Sequence, residues 1–214
     1  MPVLQLASLM AAVVLNGESR FVKILRTAVY LPVITSSVAV GIAWKWVLRS
    51  DGLANTLLAS IGMQPVPWLT DPSWAMFSVM LVTFWQGIGY YMILYLAGLQ
   101  SIPDEYAEAA RLDGAKPWQV FSRITLPLLK PSIALCATLS CISALKVFSE
   151  IYVMTGGGPE NGTLTMVYYI YGRAFESFEM GYACSLALVL AIFVGAVSLI
   201  NSRIFREGGL NSYY

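Results

Sequence analysis

Two sets of polar residues are set into the apolar stretches of this chain at helical spacing. Thr83, Gln86, Gly87 and Tyr90 fall at i, i+3, i+4 and i+7. Ser140, Ser143, Lys146 and Glu150 make a second stripe, with Lys146 and Glu150 four apart. Polar groups are costly in hydrocarbon, so such stripes face a bundle interior or a wet cavity. Hydroxyl, amide and phenol groups on a passage wall would suit the hydroxyls of a small polar solute. The same groups suit hydrogen bonds between helices, and Lys146 with Glu150 suits a structural ion pair. Both readings stand at this point for both stripes. Lys146, if unpaired, is the cation that would meet a phosphorylated solute.

Other chemistries lose their reagents. The chain has no histidine, the commonest base and metal ligand. Cys136, Cys141 and Cys184 lie in apolar segments without a C-x-x-C pair, and read as small hydrophobes. No Gly-x-Ser-x-Gly motif or pair of intramembrane aspartates is present. Thr155-Gly156-Gly157-Gly158-Pro159 lacks the Gly-Lys-Ser/Thr of a phosphate loop and reads as a turn after a span. A formal net charge of +1 gives no basis for nucleic-acid binding. Neither an enzyme nor a cofactor or metal site is expected in this chain.

The elements that carry the stripes are membrane spans. The chain is 57% hydrophobic and 12% charged, about half the charge of a soluble domain. Apolar runs at roughly 1–16, 25–48, 74–100, 131–153 and 181–202 approach or exceed the ~20 residues that cross a bilayer. The expected fold is an all-α membrane protein, a polytopic helical bundle of about five spans in one domain over 1–214. The first run is short and begins at Met1 without a basic leader, so an N-terminal helix is expected to be missing. Pro32 is expected to kink span two.

Loop charge sets the orientation. Arg20, Lys23, Arg26, Arg111, Lys116, Arg123, Lys130, Arg203 and Arg206, nine of thirteen basic residues, fall on one side if the spans alternate. That side is expected to be cytoplasmic, together with the C-terminus. Trp44, Trp46, Trp68 and Trp74 gather at the opposite interface.

Between spans three and four lies a polar segment with the punctuation of two short helices. Ser101 is expected to cap the first, Pro103 sits at its start, and Asp104 and Glu105 complement its dipole. Alanines keep that helix thin, and Gly114 suits a left-handed end. Pro117 opens the second helix, with Trp118, Val120, Phe121 and Ile124 as its apolar face. Pro127 and Pro131 are expected to close it. Four acids balance four bases here, which suits a protein partner better than DNA. An inert amphipathic linker on the membrane surface is the plainer alternative.

The spacing Glu108-Ala109-Ala110-x3-Gly114-x9-Ile124-x-Leu126-Pro127 resembles the coupling loop of ABC importer membrane subunits. With Leu31-Pro32, Trp44-Lys45-Trp46, Ala97 to Pro103 and Met154 to Pro159, the resemblance covers almost the whole chain. It is to the carbohydrate-type group that includes the maltose and glycerol-phosphate permeases. The resemblance implies the type I importer permease core and docking of Glu108, Ala109, Ala110, Gly114, Ile124, Leu126 and Pro127 on a separate ATPase. It implies a dimer of ATP-binding subunits, a second permease, an extracytoplasmic solute-binding protein and a bacterial inner-membrane location. ATP would be bound by the partner, and Thr83, Gln86, Gly87, Tyr90, Ser143, Lys146 and Glu150 would line a path for a sugar or related solute. An ion-coupled secondary transporter and a non-transporting scaffold are the rivals.

Overall fold

A computed structural model describes the backbone over residues 1–207 and side chains through Arg203. Every described element is helical: α1 (Pro2–Val14), α2 (Arg20–Ile34), α3 (Ser37–Val47), α4 (Leu53–Ser60), α5 (Pro72–Gln100), α6 (Asp104–Leu112), α7 (Pro117–Val120), α8 (Leu126–Leu128), α9 (Lys130–Leu145), α10 (Ser149–Met154), α11 (Met166–Tyr171) and α12 (Met180–Glu207). Two π turns, Phe121–Thr125 and Gly172–Glu176, join α7 to α8 and extend α11. The expected inward C-terminus runs past Glu207, outside the described residues.

The span count is lower than the apolar runs suggest. Three stretches have the length and composition to cross a membrane: Pro72–Gln100, Lys130–Met154 and Met180–Arg203. A fourth is possible only by joining α2 to α3, which are bent by 99°. The expected continuous span 25–48 is therefore two helices. Pro32 lies inside α2, and the chain breaks shortly after it, before Ser37. Proline removes one backbone donor and its ring crowds the preceding turn, which weakens the ladder there. α1 is apolar but only 13 residues long.

The fold divides into two compact units. One comprises 1–31, 87–142 and the segment from 196 onward; the other comprises 32–86 and 143–195. In the first, Tyr95 Oη donates to Gln5 Oε1 at 2.7 Å, and Gln5 Nε2 donates to the Cys136 carbonyl at 3.1 Å. One glutamine thus ties α1 to both α5 and α9. Asn201 Nδ2 on α12 donates to Thr138 Oγ1 on α9 at 2.8 Å. Buried amide and hydroxyl pairs of this kind hold helices together where apolar side chains gain little over lipid.

In the second unit, Val40, Leu48, Val82 and Met154 form a core with Trp44, Trp68 and Leu69 packed on it. α3 and α10 meet closely: an added side chain at Gly41 would stand 3.3 Å from Val153. Lys45 Nζ donates to the Val153 carbonyl at 2.9 Å, so a cation covers the C-terminal end of α10. Of the four tryptophans expected at one interface, Trp68 pairs with Trp74 at 5.3 Å, Trp44 packs on Trp85 at 5.4 Å, and Trp46 lies under the Arg49 guanidinium.

Asn55 organises the segment between α3 and α5. It is 5% exposed. Its Nδ2 donates to the carbonyls of Ser50 at 3.1 Å and Val66 at 3.0 Å. Its Oδ1 accepts from Val66 N at 2.9 Å and Trp68 Nε1 at 3.1 Å. Asn55→Ala would strand these groups, each costing about 1–3 kcal/mol if it stays buried. The expected result is a lower thermal midpoint in detergent and faster proteolysis within 50–70, read by mass spectrometry.

Candidate functional site

The hairpin 101–127 forms as two helices joined at Gly114, with differences at each end. α6 starts at Asp104, with Asp104 and Glu105 in its first turn and Arg111 in its last. This charge order matches the helix dipole. Ser101 does not cap it. Ser101 Oγ instead donates to the Gly98 carbonyl at 2.7 Å and finishes α5. Gly114 has φ +80°, the left-handed conformation that a side chain would strain. α7 begins at Pro117, and the Lys116 N–H donates to Gln119 Oε1 at 2.7 Å, closing its first turn.

Pro127 and Pro131 do not end the helical run as expected. The chain continues through the π turn into α8, and Pro131 lies in the first turn of α9. A proline at 127 cannot donate to the carbonyl four residues back, and its ring would press on it. The π turn widens the backbone at that point, with Leu126 N bonding to the Phe121 carbonyl. The prolines mark the starts of successive turns instead of a stop.

Exposure sorts the docking residues predicted for this hairpin. Glu108, Ala109 and Gly114 are exposed, while Ala110, Ile124, Leu126 and Pro127 are half-buried within the hairpin's own packing. Within the apolar face expected for the second helix, Trp118 is 72% exposed while Val120 is buried. Leu112 is 90% exposed and Tyr106 53%. Three large apolar side chains displayed on a polar hairpin suit anchors for a protein partner. Nothing in the sequence pattern marks Tyr106 and Leu112 as displayed, because a short helix does not reveal which face is covered.

The two ends of the hairpin are locked together by close helix approach. A Cβ at Gly98 on α5 would collide with the Ser132 side chain on α9 and press on Leu129 Cδ1 at 3.0 Å. Only glycine permits this crossing at the hairpin's root.

The stripe in span three lies on α5, but its members already have protein contacts. Thr83 Oγ1 donates to its own helix at the Val79 carbonyl, 2.9 Å away. Gln86 Nε2 donates to the Pro32 carbonyl at 3.0 Å. Gly87 accommodates Leu4 of α1, whose methyls would lie 3.2 Å from an added Cβ. Tyr90 stacks edge-on with Tyr91 and remains 41% exposed. Gln86 thereby supplies a helix-to-helix bond, and Tyr90 keeps the largest free surface.

The stripe in span four does not survive as one helical face. α9 ends at Leu145 and α10 begins at Ser149, so Lys146 and Glu150 are not i and i+4 on one helix. The ion pair suggested by their spacing is absent: the described ion pairs are Arg49–Asp51 and Arg173–Glu179. Lys146 N donates to the Ser143 carbonyl at 3.1 Å, and regular bonding resumes only where Tyr152 N meets the Phe148 carbonyl at 2.8 Å. Among the described residues, no backbone hydrogen bond reaches the carbonyls of Ala144, Leu145 or Lys146. Thr165 Oγ1 donates to the Val147 carbonyl at 3.0 Å. Such an opening within a span is tolerated where protein covers it or water fills it. Broken helices of this kind are also where transporters bind their cargo. A sequence reader sees only an apolar run with no proline or glycine between 132 and 155, so nothing there signals the break.

Apolar helices long enough to cross a membrane, a polar helical hairpin between two of them and an interrupted span fit a class of transport component. The chain belongs to the family described as binding-protein-dependent transport system inner membrane component, which matches residues 5–206. It is 41% identical over 197 residues to the probable ABC transporter permease protein YesP of Bacillus subtilis, covering 90% of this chain and 63% of that protein. It is 37% identical over 207 residues to the lactose transport system permease protein LacF of Rhizobium radiobacter, covering 94% and 70%. A crystal structure of a bacterial alginate ABC transporter, in complex with an alginate pentasaccharide-bound periplasmic protein, contains a similar chain. Its TM-score is 0.83 at 28% identity, covering 94% of this chain and 71% of the other. The chain thus spans roughly two thirds of the length of these relatives.

Gly98→Ala should push α5 from α9 and loosen the hairpin they carry. Protease protection of 101–127 is expected to fall and the thermal midpoint to drop, by about 1–3 kcal/mol of overpacking. The pair Gly98→Ala with Ser132→Gly should recover most of the loss. Failure of the second change to help would place the damage elsewhere.

Proposed function

We propose that this chain is one of two permease subunits of a bacterial ABC importer for a sugar or related solute. The observation that carries this reading is the hairpin 101–127, a compact polar element with Tyr106, Leu112 and Trp118 displayed beside Glu108 and Ala109. A dimer of ATP-binding subunits would receive that element in a cleft. The hairpin and the C-terminus lie in the cytoplasm, in keeping with the basic residues gathered in the same loops. An extracytoplasmic solute-binding protein delivers cargo on the opposite side, as the periplasmic protein does in the alginate transporter complex. The sugar class is supported by the lactose and arabinooligosaccharide permeases among the relatives.

In this scheme the chain performs no bond-breaking chemistry and holds no cofactor of its own. ATP closes the ATPase dimer, the dimer moves the hairpin, and the hairpin moves α5 and α9, to which it is fused at both ends. ATP and the loaded binding protein both favour one of two states of the bundle, and cargo moves as the states alternate. Thr83, Gln86, Gly87, Tyr90, Ser143, Lys146 and Glu150 are the proposed path-facing residues, with Tyr90 and the opening at 146–148 as its most available parts.

The broken span would also suit an ion-coupled carrier. Uptake that persists without ATP and collapses with the ion gradient would favour that carrier. Affinity capture from native membranes in mild detergent tests the importer directly. The parent chain is expected to bring down an ATPase and a second permease. Glu108→Lys with Gly114→Val should keep the permease and lose the ATPase. Capture of no ATPase by the folded, inserted parent would end this reading.

A further inference from the structure

The turn between α3 and α5 displays an apolar side that the chain itself does not cover. Leu53, Leu57 and Ile61 recur every fourth residue along α4 and into its cap, and each is between 61 and 70% exposed. Met63, just beyond the helix, is exposed as well. Helical spacing sets this stripe next to the side where Ala54 packs on the core of the second unit and Asn55 is buried. On its other edge stand Thr56 and Ser60, whose hydroxyls donate to carbonyls of their own turn, Gly52 and Leu57. Ala59, small and exposed, lies across the helix from Leu57.

Hydrogen bonds fix the rotation of α4. Asn55 holds the carbonyls of Ser50 and Val66 and accepts from Trp68 Nε1. At the far end Gly62 takes φ +77°, and Gly62 N and Met63 N donate to the Ala59 and Leu58 carbonyls, each at 3.0 Å. The stripe cannot roll inward without breaking these bonds.

The depth of α4 follows from α5. Ser78 Oγ donates to the Trp68 carbonyl at 2.8 Å, and Trp68 Nε1 donates to Asn55 Oδ1 at 3.1 Å. Trp68 thus links α4 to Ser78, about 9 Å along α5 from Pro72. The 29 residues of α5 make about 43 Å of helix against a core of ~30 Å. A centred span leaves roughly 6–7 Å outside at each end. α4 therefore lies level with the place where α5 enters hydrocarbon.

Rings and charges at this level agree. The Trp68–Trp74 pair continues to Phe77 at 5.8 Å, and the Arg49 guanidinium lies 4.6 Å over the exposed Trp46 ring. Tryptophan at the headgroup level, with an arginine reaching past it, marks a membrane boundary. From Gly52 through Thr70 the chain carries no charged residue. The charges that bracket this stretch are already engaged: Arg49 pairs with Asp51 at 3.0 Å, and Asp71 accepts from the N–H groups of Ser73 and Trp74. A surface built for a soluble protein would carry a polar rim. Here the stripe is bordered by hydroxyls that are satisfied within the helix.

We propose that α4 is an interfacial helix, whose Leu53, Leu57, Ile61 and Met63 enter the headgroup–acyl boundary of the leaflet at the Pro72 end of α5. In the orientation set by loop charge this is the outer leaflet. The helix thereby holds the turn between α3 and α5 at a set depth. This role goes beyond the importer reading and does not rest on it.

The test uses the affinity-captured complex in liposomes of phosphatidylethanolamine and phosphatidylglycerol, with Cys136, Cys141 and Cys184 of this chain replaced by alanine. A nitroxide is attached in turn at Leu53→Cys, Leu57→Cys, Ile61→Cys and Ala59→Cys, and the signal of the complex without an introduced cysteine is subtracted. Power-saturation EPR reads collision with oxygen, which concentrates in lipid, and with a nickel chelate, which stays in water. The oxygen-to-chelate ratio at the three stripe sites is expected to exceed that at Ala59 by about threefold or more. Equal ratios at all four sites, with the chelate colliding freely, would put the stripe in water and overturn the proposal. Weak collision with both reagents at the stripe sites would overturn it too, showing that another protein surface covers α4. Three separate stripe sites keep the result from resting on any one variant.

Discussion

Peptide groups that enter hydrocarbon must find their partners inside the protein, because lipid offers none. This constraint favours helices, as every described element of the chain is, and it decides where a helix may stop. Where α9 stops at Leu145, a threonine hydroxyl from eighteen residues further on reaches the Val147 carbonyl. Where α2 gives way to α3, Gln86 reaches the Pro32 carbonyl. Both residues look, in a sequence, like polar side chains awaiting a ligand. In the folded chain they substitute for missing turns of helix.

The same constraint separates what the sequence disclosed from what it hid. Long apolar α5 and α12 were legible, because length and composition alone identify them. The hairpin was legible because its punctuation is local: acids at the start of α6, glycine at its end, proline at the start of α7. The break at 146–148 was not legible. Its cause is tertiary, resting on Thr165, the clamp of Lys45 on Val153 and the rings that gather around Phe148. The spacing of Lys146 and Glu150 misled for that reason, since helical arithmetic assumes an unbroken helix. The exposure of Trp118 was not legible because an apolar residue on a short helix can serve the core or a partner equally well.

Small residues carry as much of this architecture as large ones. Gly98 admits Ser132 at the root of the hairpin, Gly41 admits Val153, and Gly157 admits Tyr168. Each lets two backbones, or a backbone and a ring, approach more closely than a side chain would allow. In a bundle with little hydrophobic force between helices, such contacts and a few buried hydrogen bonds set the packing. The motif Thr155 to Pro159, which reads in the sequence as a turn after a span, has a plain physical task here: it shapes the bed of an aromatic ring.

The distance in sequence between Val147 and Thr165 bears on how the chain is made. Synthesis proceeds from the N-terminus, so the half-helices on either side of the break emerge before Thr165 exists. During that interval the Val147 carbonyl has only water or the insertion machinery to bond. The bond that completes the break can therefore form only after the loop that follows α10 has folded back. The order of assembly is written into the chain: the gap first, the residue that fills it second.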